Sequence, residues 1–289
     1  MKKKKRNSIG RLDLKTVLVL IIVFVVVTKV RTYMDTEPVG ENKTEKKCAD
    51  NGARKTEPAL DLTALVKGGK ESVQIIEHEG FVTCVDYKYN TPQWVAWELT
   101  RDEIDGDVKR KDYEFIPDEE LPSANRVETR DYTRSGYDRG HMCPAADMSW
   151  SAQAMHDCFY MSNICPQVPV LNQEYWARLE NSCRRWAKRE GSIYIVCGPV
   201  YTSSRPKKIG DTHKVAVPNA FFKVVLSLNE DSPKGIGFYY ENKEKKQTME
   251  SASRTIDEIE SLTNIDFFSQ LPDDVENVLE AQNDLRKWD

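Results

Sequence analysis

Residues 170 to 190, "VLNQEYWARLENSCRRWAKRE", are the main helical stretch of this chain. Val170, Leu171, Tyr175, Trp176, Leu179, Cys183 and Trp186 recur at three- and four-residue spacing. Such spacing makes one face apolar, and that face must be covered. Gly191 stops the helix. On either side lie runs of short segments rich in branched and aromatic residues. "SVQIIEHE", "FVTCVDYKYN" and "QWVAWELT" come before it, separated by Gly80 and by a turn at Thr91-Pro92; "SIYIVCGPV", "NAFFKVVLSL" and "GIGFYYEN" follow. Strands in runs, joined as hairpins and not alternating with helices, predict an α+β fold whose mostly antiparallel sheet is flanked by helices.

The intervening stretches are weaker. Residues 101 to 134 are charged and irregular, which predicts a long surface loop, a class often functional. "SWSAQAMHD" predicts a short helix capped by Ser149 or Ser151, and "CFYMSNICPQ" a buried strand with a polar end. The tail, residues 252 to 281, reads as two short helices.

The N-terminus is of another kind. Residues 1 to 15 are basic, and 16 to 30 are almost wholly apolar. A cationic flank before an apolar run is the pattern of a membrane anchor or a signal segment. The uninterrupted core, Val17 to Val27, is short for a span, but Lys15 and Lys29 can snorkel to the interfaces. The expectation is a single-pass protein of the cell membrane with its C-terminal bulk extracytoplasmic, or a secreted one if the segment is cleaved. Residues 31 to 71 are charged and poor in aromatics, a flexible linker. The folded domain is expected over 72 to 289.

Charge and cysteines limit the function classes. Residues 1 to 30 carry eight Lys/Arg and one Asp, so the rest holds 34 basic and 45 acidic residues, net −11. That excludes a protein that coats nucleic acid by global charge, but not a local basic patch. Arg178, Arg184, Arg185, Lys188 and Arg189 make the main helix such a patch. The seven cysteines contain no CxxC pair, which argues against a zinc ribbon. Outside the cytoplasm disulfides are permissible, and buried free thiols are the alternative.

One segment carries chemistry. In "SGYDRGHMCPAADM", residues 135 to 148, Asp138, Arg139 and His141 fall within four positions. An imidazole titrates near neutral pH and suits a general base. A guanidinium binds a phosphate or another anion by paired hydrogen bonds. Asp138 can orient a neighbouring group. Asn172, at the first turn of the main helix, is either a cap or a neutral oxygen ligand for Mg²⁺. Glu180 lies eight residues on, about 80° around an α-helix. Cys143 near His141 superficially suits a thiol hydrolase, but residues so close in sequence need not face each other. His78, His156 and His213 read as structural or exposed and lack zinc-ligand spacing.

"YDRGHMCPAADM" resembles the DRGH signature of the DNA/RNA non-specific endonucleases, the ββα-metal nucleases related to endonuclease G. "YMSNICPQ" is similar to their S-N-x-x-P-Q segment, "LNQEYWARLE" to their helix start, and "PQWVAWELT" to their upstream strand. The resemblance covers roughly residues 72 to 270. It implies a ββα-metal fold and metal-dependent cleavage of DNA and RNA. By position it implies His141 as general base and Arg139 beside it, near the scissile phosphate or in the scaffold of the site. It implies Asn172 as direct ligand of Mg²⁺, with Mn²⁺ or another divalent cation as substitutes. Glu180 matches the acid ordering metal-bound water, and Asn163 an asparagine close to the site. A further substrate-binding arginine lies upstream, with Arg126, Arg130 and Arg134 as candidates; Arg178 is a candidate on the helix. Some members of the family pair as homodimers, although no stretch here demonstrates it. The rival reading is a nucleic-acid-binding module on the same scaffold with catalysis lost.

Overall fold

The computed structural model describes residues 25 to 32, 60 to 69 and 72 to 289. Residues 25 to 32 belong to one unit and 60 to 289 to a second. The first unit's described residues are helical (α1, 25–32), with the Thr32 hydroxyl donating to the Thr28 carbonyl. The basic stretch 1 to 15 and the rest of the expected apolar span, 16 to 24, lie outside the described residues. Among those described, no helix is long and apolar enough to cross a membrane.

The second unit is built on one seven-stranded sheet. In chain order its first elements are β1 (Val66–Gly68), β2 (Val73–His78), β3 (Phe81–Asp86) and β4 (Thr91–Thr100). Then come β5 (Asp138–His141), α2 (Ala152–Asp157), β6 (Ile164–Gln167), a π-helical turn (Leu171–Trp176) and α3 (Ala177–Glu190). β7 (Ser192–Val200), β8 (Lys208–Ile209), β9 (Val215–Ala216), β10 (Ala220–Ser227) and β11 (Lys234–Glu241) follow. The chain ends in α4 (Met249–Ala252), β12 (Ser253–Arg254), α5 (Ile256–Thr263), β13 (Ile265–Phe267) and α6 (Asp273–Glu280). The large sheet has the order β12-β11-β10-β7-β4-β3-β2, and every pairing in it is antiparallel.

The expected segment "CFYMSNICPQ" is strand only over Ile164–Gln167, after a 3₁₀ turn at Met161–Asn163; the expected sheet strands are present, with two further differences. Pro92 lies inside β4, opposite Val85, where the β3–β4 register shifts. Proline lacks a ladder donor and is tolerated at such a bulge. The reversal falls instead at Tyr87–Asn90, where Asn90 adopts φ 55° and donates to the Asp86 carbonyl. Second, β1 lies within the stretch expected to be linker. It pairs with β13, and Leu60 and Leu65 are buried beside it. That partner is about 200 residues away, so no local pattern announces it.

The apolar stripe of the main helix does what its spacing requires. Trp176, Leu179, Cys183 and Trp186 are buried in one core with Trp97, Ile195, Phe221 and Phe238 of the sheet. The Trp176 ring lies 5.8 Å from that of Phe221, and Trp186 stacks on Phe238 at 6.1 Å. Gly191, at φ 98°, ends the helix with its N–H on the Ala187 carbonyl. Six cysteines, 84, 143, 158, 165, 183 and 197, are buried free thiols, so the apolar core and not cross-linking holds these strands together.

Phe221 is fully buried where the helix meets the sheet. Phe221→Ala should destabilise the protein by about 3–5 kcal/mol, read as a lower urea midpoint.

Candidate active site

The DRGH segment is β5, and β6 pairs with it antiparallel, Asp138 opposite Gln167 and His141 opposite Ile164. The main helix follows β6. The close approach of the two strands explains Gly140: a Cβ there would stand 2.0 Å from Gln167 Oε1, inside the fully buried Gln167 side chain. The chain beyond His141 is fixed by Asn163. Its Oδ1 accepts from the Cys143 N–H, and its Nδ2 donates to the carbonyls of Cys143 and Cys158, each at 2.9 Å.

These elements border a cavity of about 660 Å³, whose lining includes Arg110, Arg139, His141, Asn172, Glu180 and Arg184. Four of the expected site residues therefore share one concavity. Asp138 Oδ2 accepts from Asn172 Nδ2 at 2.9 Å and from Gln173 Nε2 at 2.8 Å. A carboxylate only accepts, so it fixes which end of the Asn172 amide it holds and leaves Oδ1 as the remaining donor atom for a cation. The π turn matters here. Each of its steps turns through less than the 100° of an α-helix. Eight residues then fall short of two turns plus 80°, which brings Asn172 and Glu180 nearer to one face than an unbroken α-helix would.

His141 is buried between aromatic rings, edge-on to Phe159 at 5.1 Å and tilted to Phe115 at 5.2 Å. Its Nε2 has no hydrogen-bond partner. Burial, then the cations of Arg110 and Arg139, push the imidazole down to about 3, so it is neutral at pH 7. Arg139 is held over the Phe115 ring, 4.7 Å from its centroid. Glu180 goes the other way. Burial raises it to about 7, with Lys223 and Arg184 opposing and Asp147 adding to the rise. Its carboxyl and the Asn172 amide oxygen are hard oxygen donors on one cavity, and they fit an ion such as Mg²⁺, which takes few protein ligands.

Other expected residues fall elsewhere. Asn163 is fully buried and spent on backbone, outside the cavity lining. Arg130 is exposed and paired with Glu128 at 2.7 Å. Arg126 donates to the carbonyls of Glu119 and Leu121. Arg134 borders a smaller cavity of about 290 Å³ with Asp138 and Arg139. Arg178 is exposed, 3.5 Å from Glu174, in a groove that shares Ile104, Asp105 and Arg184 with the main cavity. Cys143 is fully buried and its thiol is pushed well up, so it is no nucleophile. His78, His156 and His213 each sit beside an aspartate, away from the cavity.

Three cations were not singled out as site residues from sequence. Arg110 comes from the irregular 101–134 segment, which carries no periodicity to mark it. Arg184, one turn after Glu180, is anchored by the buried Asp147 at 2.6 Å. Lys223 lies in the core, 4.6 Å from the ring centroids of both Trp97 and Trp176. A lysine in the middle of "NAFFKVVLSL" was the available signal.

The sequence pattern of DNA/RNA non-specific endonucleases matches residues 60–274. This chain belongs to that family. The mitochondrial nuclease of Saccharomyces cerevisiae is 42% identical over 164 residues, 52% of this chain and 49% of the relative. The human protein "Endonuclease G, mitochondrial" is 37% identical over 162 residues, 53% of this chain and 54% of the relative. The chain thus spans about half the length of these relatives. A crystal structure of an EndoG/EndoGI complex has the same fold, with a TM-score of 0.66 and 27% identity over 69% of this chain and 87% of that one. These findings correct one expectation. The relatives are named mitochondrial nucleases, which contradicts the single-pass cell-membrane placement; nothing in the comparisons supports the membrane as a partner, and among the described residues no helix is long and apolar enough to cross one.

Two outcomes follow from this geometry. Arg110→Gln removes a positive charge beside the imidazole, so the His141 pKa should rise from about 3; an NMR titration of the ring protons reads the direction. Asn163→Ala strands a buried N–H and two carbonyls and should lower stability by at least about 2 kcal/mol in urea unfolding.

Proposed function

We propose that this chain is a metal-dependent endonuclease that hydrolyses phosphodiester bonds of DNA and RNA with little sequence preference. The observation that supports this best is one cationic cavity holding a neutral, unpartnered imidazole, an amide oxygen turned away from its anchoring carboxylate, and the carboxyl of Glu180.

His141 is the general base that takes a proton from the attacking water. At about 3 its basicity is low, yet two of the three causes are the charges of Arg110 and Arg139. A phosphate seated against these guanidiniums offsets their charge, so the imidazole becomes more basic when substrate is present. Arg139 and Arg110 hold the phosphate, and Arg184 adds positive field from the helix. Asn172 Oδ1 would hold a divalent cation directly, with Mg²⁺ the best match, and Glu180 would order water beside it. When bound, that cation stabilises charge on the phosphoryl oxygens and the departing oxygen. Guanidinium–phosphate contacts carry no base information, hence the weak sequence preference. Arg178 and Arg134 lie where flanking phosphates would pass, whereas Arg130 is engaged by Glu128.

The test is cleavage of plasmid DNA and of single-stranded RNA by the full chain, with Mg²⁺ or with EDTA. Both substrates should be cut only with the metal, and His141→Ala should slow cutting by about 10²–10⁴-fold without loss of nucleic-acid binding. A folded wild-type protein that binds but cuts neither substrate would instead be the inactive binding module.

A further inference from the structure

We propose that the carboxylates of Asp257, Glu260 and Glu280, where α5 meets α6, bind a hard divalent cation of the Ca²⁺ class at a structural site separate from the nuclease cavity. One ligand oxygen from each of the three lies within 4.8 Å of the other two. Ca²⁺ takes about six to eight oxygen ligands and accepts several carboxylates, whereas Mg²⁺ is usually held by one or two carboxylates and keeps its waters, so three converging carboxylates suit the larger ion.

The second observation is the state of Glu280 itself. It is 5% exposed, and its Oε1 has no hydrogen-bond partner. That side chain converges on the oxygens of α5 and not on any donor. Glu276, one turn earlier on α6, also has a buried, unpartnered Oε1. A buried carboxylate without a partner is expensive, and proteins normally place an arginine or lysine against it. Here the surrounding charges have the same sign. Asp257, Asp266, Glu260 and Glu276 all act on Glu280, and Lys67 is the opposing cation felt at Glu276. Burial and these neighbours push Glu280 up to about 9 and Glu276 up to about 7. The positions are not loose: α5 and α6 both pack on β11, and Glu260 Oε1 is fixed by the Phe267 N–H at 2.8 Å. A proton can neutralise one carboxylate, whereas three converging oxygens match a multiply charged cation. None of these residues lines the nuclease cavity.

The experiment is thermal unfolding of the full chain, stripped with EDTA and then titrated with Ca²⁺. Ligand that binds only the folded state raises Tm with concentration. Ca²⁺ should raise Tm in the wild type and equally in Asn172→Ala, where the amide oxygen of the nuclease cavity is gone. Glu280→Gln should abolish the rise while leaving the stripped-state Tm close to that of the wild type, because burial and its acidic neighbours already hold that carboxyl neutral near pH 7. Asp257→Asn, an exposed change that leaves packing untouched, should shift the titration to higher Ca²⁺ by tenfold or more. The proposal is overturned if Ca²⁺ leaves the wild-type Tm unchanged, or if Asn172→Ala abolishes the rise. It is equally overturned if Glu280→Gln retains the rise, which would mean that protons compensate the cluster. Loss of nuclease activity in any sample does not enter this readout.

Discussion

The seating of α3 on the antiparallel sheet governs the rest of the structure. Trp176, Leu179, Cys183 and Trp186 pin one face of the helix against Trp97, Phe221 and Phe238, which leaves the other face to border the cavity. Because the helix cannot rotate without exposing its tryptophans, Glu180 and Arg184 have fixed places. Lys223 rises from the sheet below, between Trp97 and Trp176, and sets a positive charge under the acid face. Asp138 then ties β5 to the π turn through the Asn172 and Gln173 amides. Strand and helix thus share one carboxylate, and the groups on them keep a common register.

The cavity combines two opposite electrostatic effects. Arg110, Arg139 and Arg184 make it cationic although the chain from residue 31 onward is net −11. Burial, then that cationic field, keeps His141 neutral, and burial likewise leads the rise of Glu180. Under the proposed function, an anionic substrate would relieve the first effect and a divalent cation the second. This arrangement requires water exclusion, which the ring walls of Phe115 and Phe159 provide around the imidazole.

The chain's own pattern determined much of this protein. Periodicity along 170 to 190 and along the strand segments set an α+β fold, because apolar spacing dictates which face of an element is buried. The DRGH segment and the Asn172–Glu180 spacing marked residues that do meet in one cavity. Four features belonged to tertiary structure alone. The pairing of β1 with β13 depends on a partner about 200 positions away. The π turn arises within a stretch whose spacing reads as plain α-helix, and it alters the angle between Asn172 and Glu180. Asn163 carries the motif's identity but is consumed by backbone, and Arg110 enters from a loop without pattern. Local sequence records which face of an element must be dry. Which charges end up facing each other is decided only when distant segments close over the same space, since a Coulomb or hydrogen-bond contact depends on separation in space and not along the chain.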